Sequence, residues 1–241
     1  RLLSASPFLL AVSEREAEFV AKLFTESSHH VIENLLAETA AAAHIKTHST
    51  PQADTSAALK RCLRLLRRKL ALALAVYDVS DHWSLEEVTQ TLSRFADLCV
   101  EAAFQVHAAR HLSKLPAPQL RVNNADTLDN NGQETQGKPS ILDVRACGLF
   151  ILALGKLGGR ELNYSSDIDL IALYDTALWP WPEHHAGPVC VKIIRDIIQT
   201  LEQRTEDGYV LRTDFRLRPN PSSTPLALST QAAETYYHSQ A

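Results

Sequence analysis

Apolar residues recur at three- and four-residue steps through the first half of the chain. The stretches "PFLLAVSEREAEFVAKLF", "VIENLLAETAAAAHI" and "LKRCLRLLRRKLALALAVYD" all follow this period, which predicts amphipathic helices. The clearest start lies at "HWSLEEV". There Ser84 as N-cap and Glu87 three residues later form a capping box, with Trp83 placed to staple onto Val88. From that start one stripe runs through Leu85, Val88, Leu92, Phe95, Cys99, Ala102, Val106 and Ala109, and Pro116 and Pro118 are expected to end the helix.

The texture then changes twice. Residues 119 to about 140, "QLRVNNADTLDNNGQETQGKPS", have no period and several Asn, Gly and Pro breakers, so a polar loop is expected. After it, "CGLFILALGKL" and "DIDLIALYD" are apolar runs suited to buried strands. "YVLRTDFRLR" alternates with a two-residue period, and "VCVKIIRDIIQTLEQRT" between them reads as a helix. The expected fold class is α+β: a helical module over 1–115, a polar linker over 116–140, and a small mixed-sheet unit with helices over 141–241.

Composition narrows this picture. Of the 241 residues, 45% are hydrophobic and 22% charged, enough for a sizeable core. A formal net charge of -4 excludes a global basic field for nucleic acid, so any phosphate site must be local. Cys62, Cys99, Cys147 and Cys190 are scattered without metal-ligand spacing, as expected of reduced thiols in a cytoplasmic protein. No signal peptide or membrane span is legible. The chain begins at Arg1, lacks methionine and stops at "TYYHSQA" inside a predicted helix, so it reads as part of a longer polypeptide.

Chemistry concentrates in "GKLGGRELNYSSDIDL". Asp167 and Asp169, two residues apart on a strand, project from one face and would repel unless a cation stood between them. Mg²⁺, which takes hard oxygen ligands from a few carboxylates plus phosphate, suits that position. The last strand adds Asp214 among Arg212, Arg216 and Arg218, with Tyr209, Leu211, Thr213, Phe215 and Leu217 expected on the opposite, core face. The turn "GKLGG" offers backbone N–H groups to a phosphate. Taken singly these features are bland, since D-x-D ends many solvated strands and the turn is not a P-loop. Together they point to metal-assisted phosphoryl or nucleotidyl transfer, with the three acids as ligands.

At these residues the chain resembles the bifunctional glutamine synthetase adenylyltransferase/adenylyl-removing enzymes. "LGKLGGRELNYSSDIDLIALYD" and "DGYVLRTDFRLRPNPSSTPLALSTQAAETYY" carry the resemblance, which is dense over 147–241 and weaker over 62–100. It implies a nucleotidyltransferase-type, DNA polymerase β-like unit. "NYSSDIDL", "LALST" and "YY" are similar to the N-terminal, adenylyl-removing copy. The implied reaction is Mg²⁺-dependent phosphorolysis of the AMP–tyrosine bond on glutamine synthetase, yielding ADP and stimulated by the uridylylated PII signal protein. Its rivals are an adenylylating domain using ATP and a silent domain binding PII or nucleotide.

Carried over by position, Asp167, Asp169 and Asp214 match the metal-binding acids, and Gly158, Gly159 and Ser166 the phosphate-side turn. Arg212, Arg216 and Arg218 match a family block, and their phosphate or nucleotide contacts are read from their charge. The gap from Gly159 to Asp167 is shorter than is common in the wider superfamily.

Other features carry less. His44 and His48 have a helical zinc spacing without a third ligand. His29, His30, His184 and His185 are expected in loops. The basic run "KRCLRLLRRK" is expected to be a solvated helix face.

Overall fold

A computed structural model of the chain describes residues 6–44, 52–116 and 147–240. Among the described residues five α-helices precede the sheet: α1 (Pro7–Arg15), α2 (Ala17–Thr25), α3 (Ser28–Ala41), α4 (Gln52–Val79) and α5 (Leu85–Leu112). The first expected helical stretch is divided. At Glu16 the backbone leaves helical angles (φ -116°, ψ 40°), and the Glu16 carboxylate accepts from Arg68 and lies 3.9 Å from Lys69 of α4. Satisfying that carboxylate against two cations accompanies the break.

The capping box forms as expected. Glu87 N–H donates to Ser84 Oγ, and the Glu87 carboxylate accepts from Ser84 N–H at 2.7 Å. The predicted stripe holds only in part along α5: Leu85 is 75% exposed and Ala109 is exposed, while Ala103, Phe104, His107, Ala108 and Leu112 are buried. Two sets of neighbours explain this, because α5 packs against α3 and α4 and also along α7 (Ala186–Glu202) of the following unit. In α4, Leu70 to Leu74 are buried on all sides, as a central helix requires.

The second unit is built on β1 (Leu149–Leu154), the one-turn helix α6 (Gly155–Gly158), β2 (Ile168–Tyr174), α7, β3 (Thr213–Asp214), β4 (Ala227–Ser229) and α8 (Thr230–Gln240). β1 runs antiparallel to β2, from Leu149↔Tyr174 to Leu154↔Asp169. Both β3 and β4 run parallel to β2, β3 beside its start and β4 beside its end, which makes a four-stranded mixed sheet. The α+β expectation is met. One continuous hydrophobic cluster includes residues of both the helices and the sheet unit.

Three expectations change. β1 is not buried on both faces, since Phe150 and Leu152 are 39% and 44% exposed. The last predicted strand shortens to Thr213–Asp214, with Val210 and Leu211 both buried and Leu217 53% exposed. Its pairing edge on β2 is shared with β4, and Asp214 Oδ1 accepts the Arg216 N–H at 2.8 Å, turning the chain away from the sheet. The basic run of α4 is also not simply solvated. Arg64, 1% exposed, donates to the carbonyls of Lys60, Gln203 and Gly208, and Arg68 bridges Glu16 and Asp207. Carbonyls of the turn after α7 and two carboxylates, Glu16 and Asp207, draw these guanidiniums inward.

His29 and His30 lie in the first turn of α3, where His30 N–H donates to Ser27 Oγ, rather than in a loop. His48 and most of the expected linker lie outside the described residues. Among the described residues no helix is long and apolar enough to cross a membrane.

Candidate functional site

The site forms where β1 ends, β2 begins and β3 pairs. Ile168 N–H donates to the Arg212 carbonyl at 2.9 Å, which sets the register so that Asp169 and Asp214 are paired positions on adjacent parallel strands. Paired positions on neighbouring strands present their side chains to one face. β3 is held from the other direction as well: Glu202, ending α7, accepts from Thr213 N–H at 2.8 Å and from Thr213 Oγ1 at 2.6 Å. Glu202 was not legible as a positioning residue, because nothing local links it to Thr213.

Each acid has a distinct environment. Asp167, exposed and just ahead of β2, accepts from Arg212 Nε at 2.5 Å, and the same guanidinium donates to the Ser165 carbonyl. Asp214 is gripped by Arg216 through Nε at 2.9 Å and Nη2 at 2.5 Å. That guanidinium and the Arg216 N–H hold the Asp214 carboxyl below the usual carboxylate range. Asp169 is half-buried and makes no side-chain hydrogen bond or ion pair among the described residues.

All three carboxylates act on one cation. Arg216 is pushed above its ordinary value first by its bonds to Asp214, with further contributions from the fields of Asp167 and Asp169. Among the described residues no three acidic, histidine or cysteine side chains are grouped tightly enough to hold a metal ion. In this arrangement guanidiniums neutralise Asp167 and Asp214.

The glycine turn also answers packing demands. Gly155 (φ +52°) sits against Asp169, and a Cβ there would stand 2.4 Å from Asp169 Oδ2. At Gly158 a Cβ would meet the Ala153 carbonyl at 2.6 Å, so this glycine lets α6 pack on β1. Gly159 is the least constrained, with its nearest neighbour at 3.5 Å. Gly155 was the missed residue, although its place right after an apolar strand at a tight turn was a usable signal. Ser166 Oγ donates to Asn163 Oδ1 at 2.6 Å and accepts from Lys156 Nζ at 3.4 Å. Among the described residues Arg218 makes no hydrogen bond or ion pair with this cluster. It donates to the carbonyls of Phe215, Pro221, Thr224 and Pro225, closing the loop between β3 and β4.

Comparison with known proteins places the chain in a family. The model of glutamate-ammonia ligase adenylyltransferase matches residues 1–129 and 125–241. A bifunctional glutamine synthetase adenylyltransferase/adenylyl-removing enzyme of Xanthobacter autotrophicus is 37% identical over 235 residues, 96% of this chain and 21% of the relative. Its counterpart from Caulobacter vibrioides is 35% identical over 237 residues, 98% of this chain and 21% of the relative. The chain thus spans about a fifth of the length of these relatives. Matched by the family model along its whole length, the chain belongs to the glutamate-ammonia ligase adenylyltransferase family.

Proposed function

We propose that this chain is an adenylyl-removing, nucleotidyltransferase-type unit acting in the cytoplasm on adenylylated glutamine synthetase. The observation that carries the reading is the pairing of Asp169 with Asp214 across β2 and β3, in a chain whose relatives are named for adding and removing adenylyl groups. Asp169 is a half-buried carboxylate without a hydrogen-bonding or ion-pair partner among the described residues, beside a second carboxylate, which favours a cation. Asp167, Asp169 and Asp214 would offer Mg²⁺ an all-hard-oxygen donor set once Arg212 and Arg216 release their carboxylates and the three acids draw together. When bound, Mg²⁺ would supply charge neutralisation at the phosphorus under attack.

The remaining roles belong to the chain. With a cation bound, Asp214 would be available as its ligand only on release from Arg216, whose exposed guanidinium would then be free to bind phosphate oxygens. Arg212 can orient a second oxygen, and the Gly158–Gly159 turn with Ser166 borders the phosphate side. Arg218 is left out because its donors are engaged by the loop. In the reaction an oxygen of inorganic phosphate attacks the AMP phosphorus, the bond to the tyrosyl oxygen breaks, that oxygen takes a proton, and ADP leaves. The motif "NYSSDIDL" supports removal over addition, and stimulation by the uridylylated PII signal protein belongs to the same reading.

The test mixes the chain with adenylylated glutamine synthetase, Mg²⁺ and phosphate. ADP formation that Asp169→Asn abolishes supports the proposal. AMP incorporation from ATP into unmodified enzyme would instead assign the adenylylating role that the family name carries, and absence of both reactions would leave a binding domain.

A further inference from the structure

A cavity of about 540 Å³ opens between the helices and the sheet unit. Phe8 and Leu9 of α1, Ala71 and Ala75 of α4, and Val210 form its apolar wall. Three arginines of α4 reach it, and they differ in one respect. Arg64 is engaged by three carbonyls and Arg68 by Glu16 and Asp207. Arg67 has one hydrogen bond, from Nη2 to the Tyr164 carbonyl at 3.0 Å, and no acidic counter-ion among the described residues.

The contrast is one of partners: burial pulls both the Arg64 and the Arg67 guanidinium below the ordinary value, but Arg64 donates to three carbonyls and Arg67 to one. A guanidinium has five donors in a fixed fork, so most of those on Arg67 are unused. The neighbouring acids are already occupied: Asp78 accepts from Tyr164 Oη at 3.1 Å, and Asp207 from Arg68. Their charges disfavour a ligand with several negative charges, while the apolar wall favours a hydrocarbon body.

We propose that this cavity binds a small amphipathic carboxylate, its head paired with Arg67 and its apolar body against Leu9, Ala71, Ala75 and Val210. The volume matches that of ordinary small-molecule sites, and a carboxylate fits the guanidinium fork in bidentate fashion. The binding claim stands apart from the catalytic reading. The two sites nonetheless meet at successive residues, since Arg67 anchors to the Tyr164 carbonyl and Arg212 to that of Ser165.

The test titrates hexanoate into the 241-residue chain by NMR, with hexanol and inorganic phosphate as comparison probes. Saturable hexanoate shifts at cavity residues are expected, with much weaker effects from both other probes. Arg67→Gln should weaken hexanoate binding by about tenfold or more. Ala75→Leu, which fills the cavity and keeps the charge, should do the same and keeps the test decisive if the arginine variant fails to fold. No saturable binding, hexanol or phosphate binding as tightly as hexanoate, or unchanged affinity in a folded Arg67→Gln chain would each overturn the proposal.

Discussion

Asp169 and Asp214 occupy paired positions on β2 and β3, yet only Asp214 is held by a guanidinium. Two carboxylates on one face, one gripped by a guanidinium and one without a bonded partner among the described residues, make a site whose stability and function pull in opposite directions.

Replacing Asp169 by Asn removes a half-buried charge that no hydrogen bond or ion pair holds among the described residues. Without divalent cation, the variant's melting temperature is expected to equal or exceed that of the parent. Turnover of adenylylated glutamine synthetase should fall by at least roughly 100-fold, and Mg²⁺ should raise the melting temperature of the parent but not of the variant. A variant that melts lower and keeps turning over would remove Asp169 from the site.

The glycine turn permits a graded comparison. Gly155→Ala should cost at least about 1 kcal/mol, because the position combines positive φ with a close approach to Asp169. Gly159→Ala, with nothing nearer than 3.5 Å to its Cβ, should be close to neutral. Denaturant unfolding of both variants checks the order, which reverses if the turn is held by Gly159 instead.

Arg216 predicts the titration of Asp214. The bonds from Arg216 keep the carboxyl depressed, so the stabilisation they provide is present above the carboxyl's unfolded-state pKa and disappears as pH falls through the folded one. Following Asp214 by NMR, the midpoint should lie below the usual carboxylate range and return towards it in Arg216→Ala. An identical midpoint in both proteins would show the pair to be absent in solution.

His107 sets an acid limit on the fold. Buried between α5 and α7, it bonds Thr200 Oγ1 at 2.7 Å, and burial lowers its pKa from 6.5 to about 4 despite Asp196, with Arg110, His111 and Lys60 adding to the lowering. Unfolded chains therefore bind this proton first as pH drops. Its stabilisation is complete above pH 6.5 and is lost as pH falls from there to about 4. A shift of that size corresponds to roughly 3 kcal/mol. Stability measured against pH should slope through this window and slope less in His107→Leu.

Much of this protein was legible without coordinates. Periodicity placed the helices because a helical face must repeat near every 3.6 residues, and the Ser84–Glu87 cap followed from hydrogen-bonding groups three residues apart. The spacing of Asp167 and Asp169 announced a charged strand end by the same local logic. Tertiary structure decided what depends on partners far away in the chain. Asp214 meets Asp169 only because β3 docks beside β2, and Arg218 serves a loop because four carbonyls converge on it. Arg64, Arg67 and Arg68 share one helix and one residue type, yet only the folded chain separates them, since the groups that satisfy or fail to satisfy a buried guanidinium come from elsewhere in the sequence.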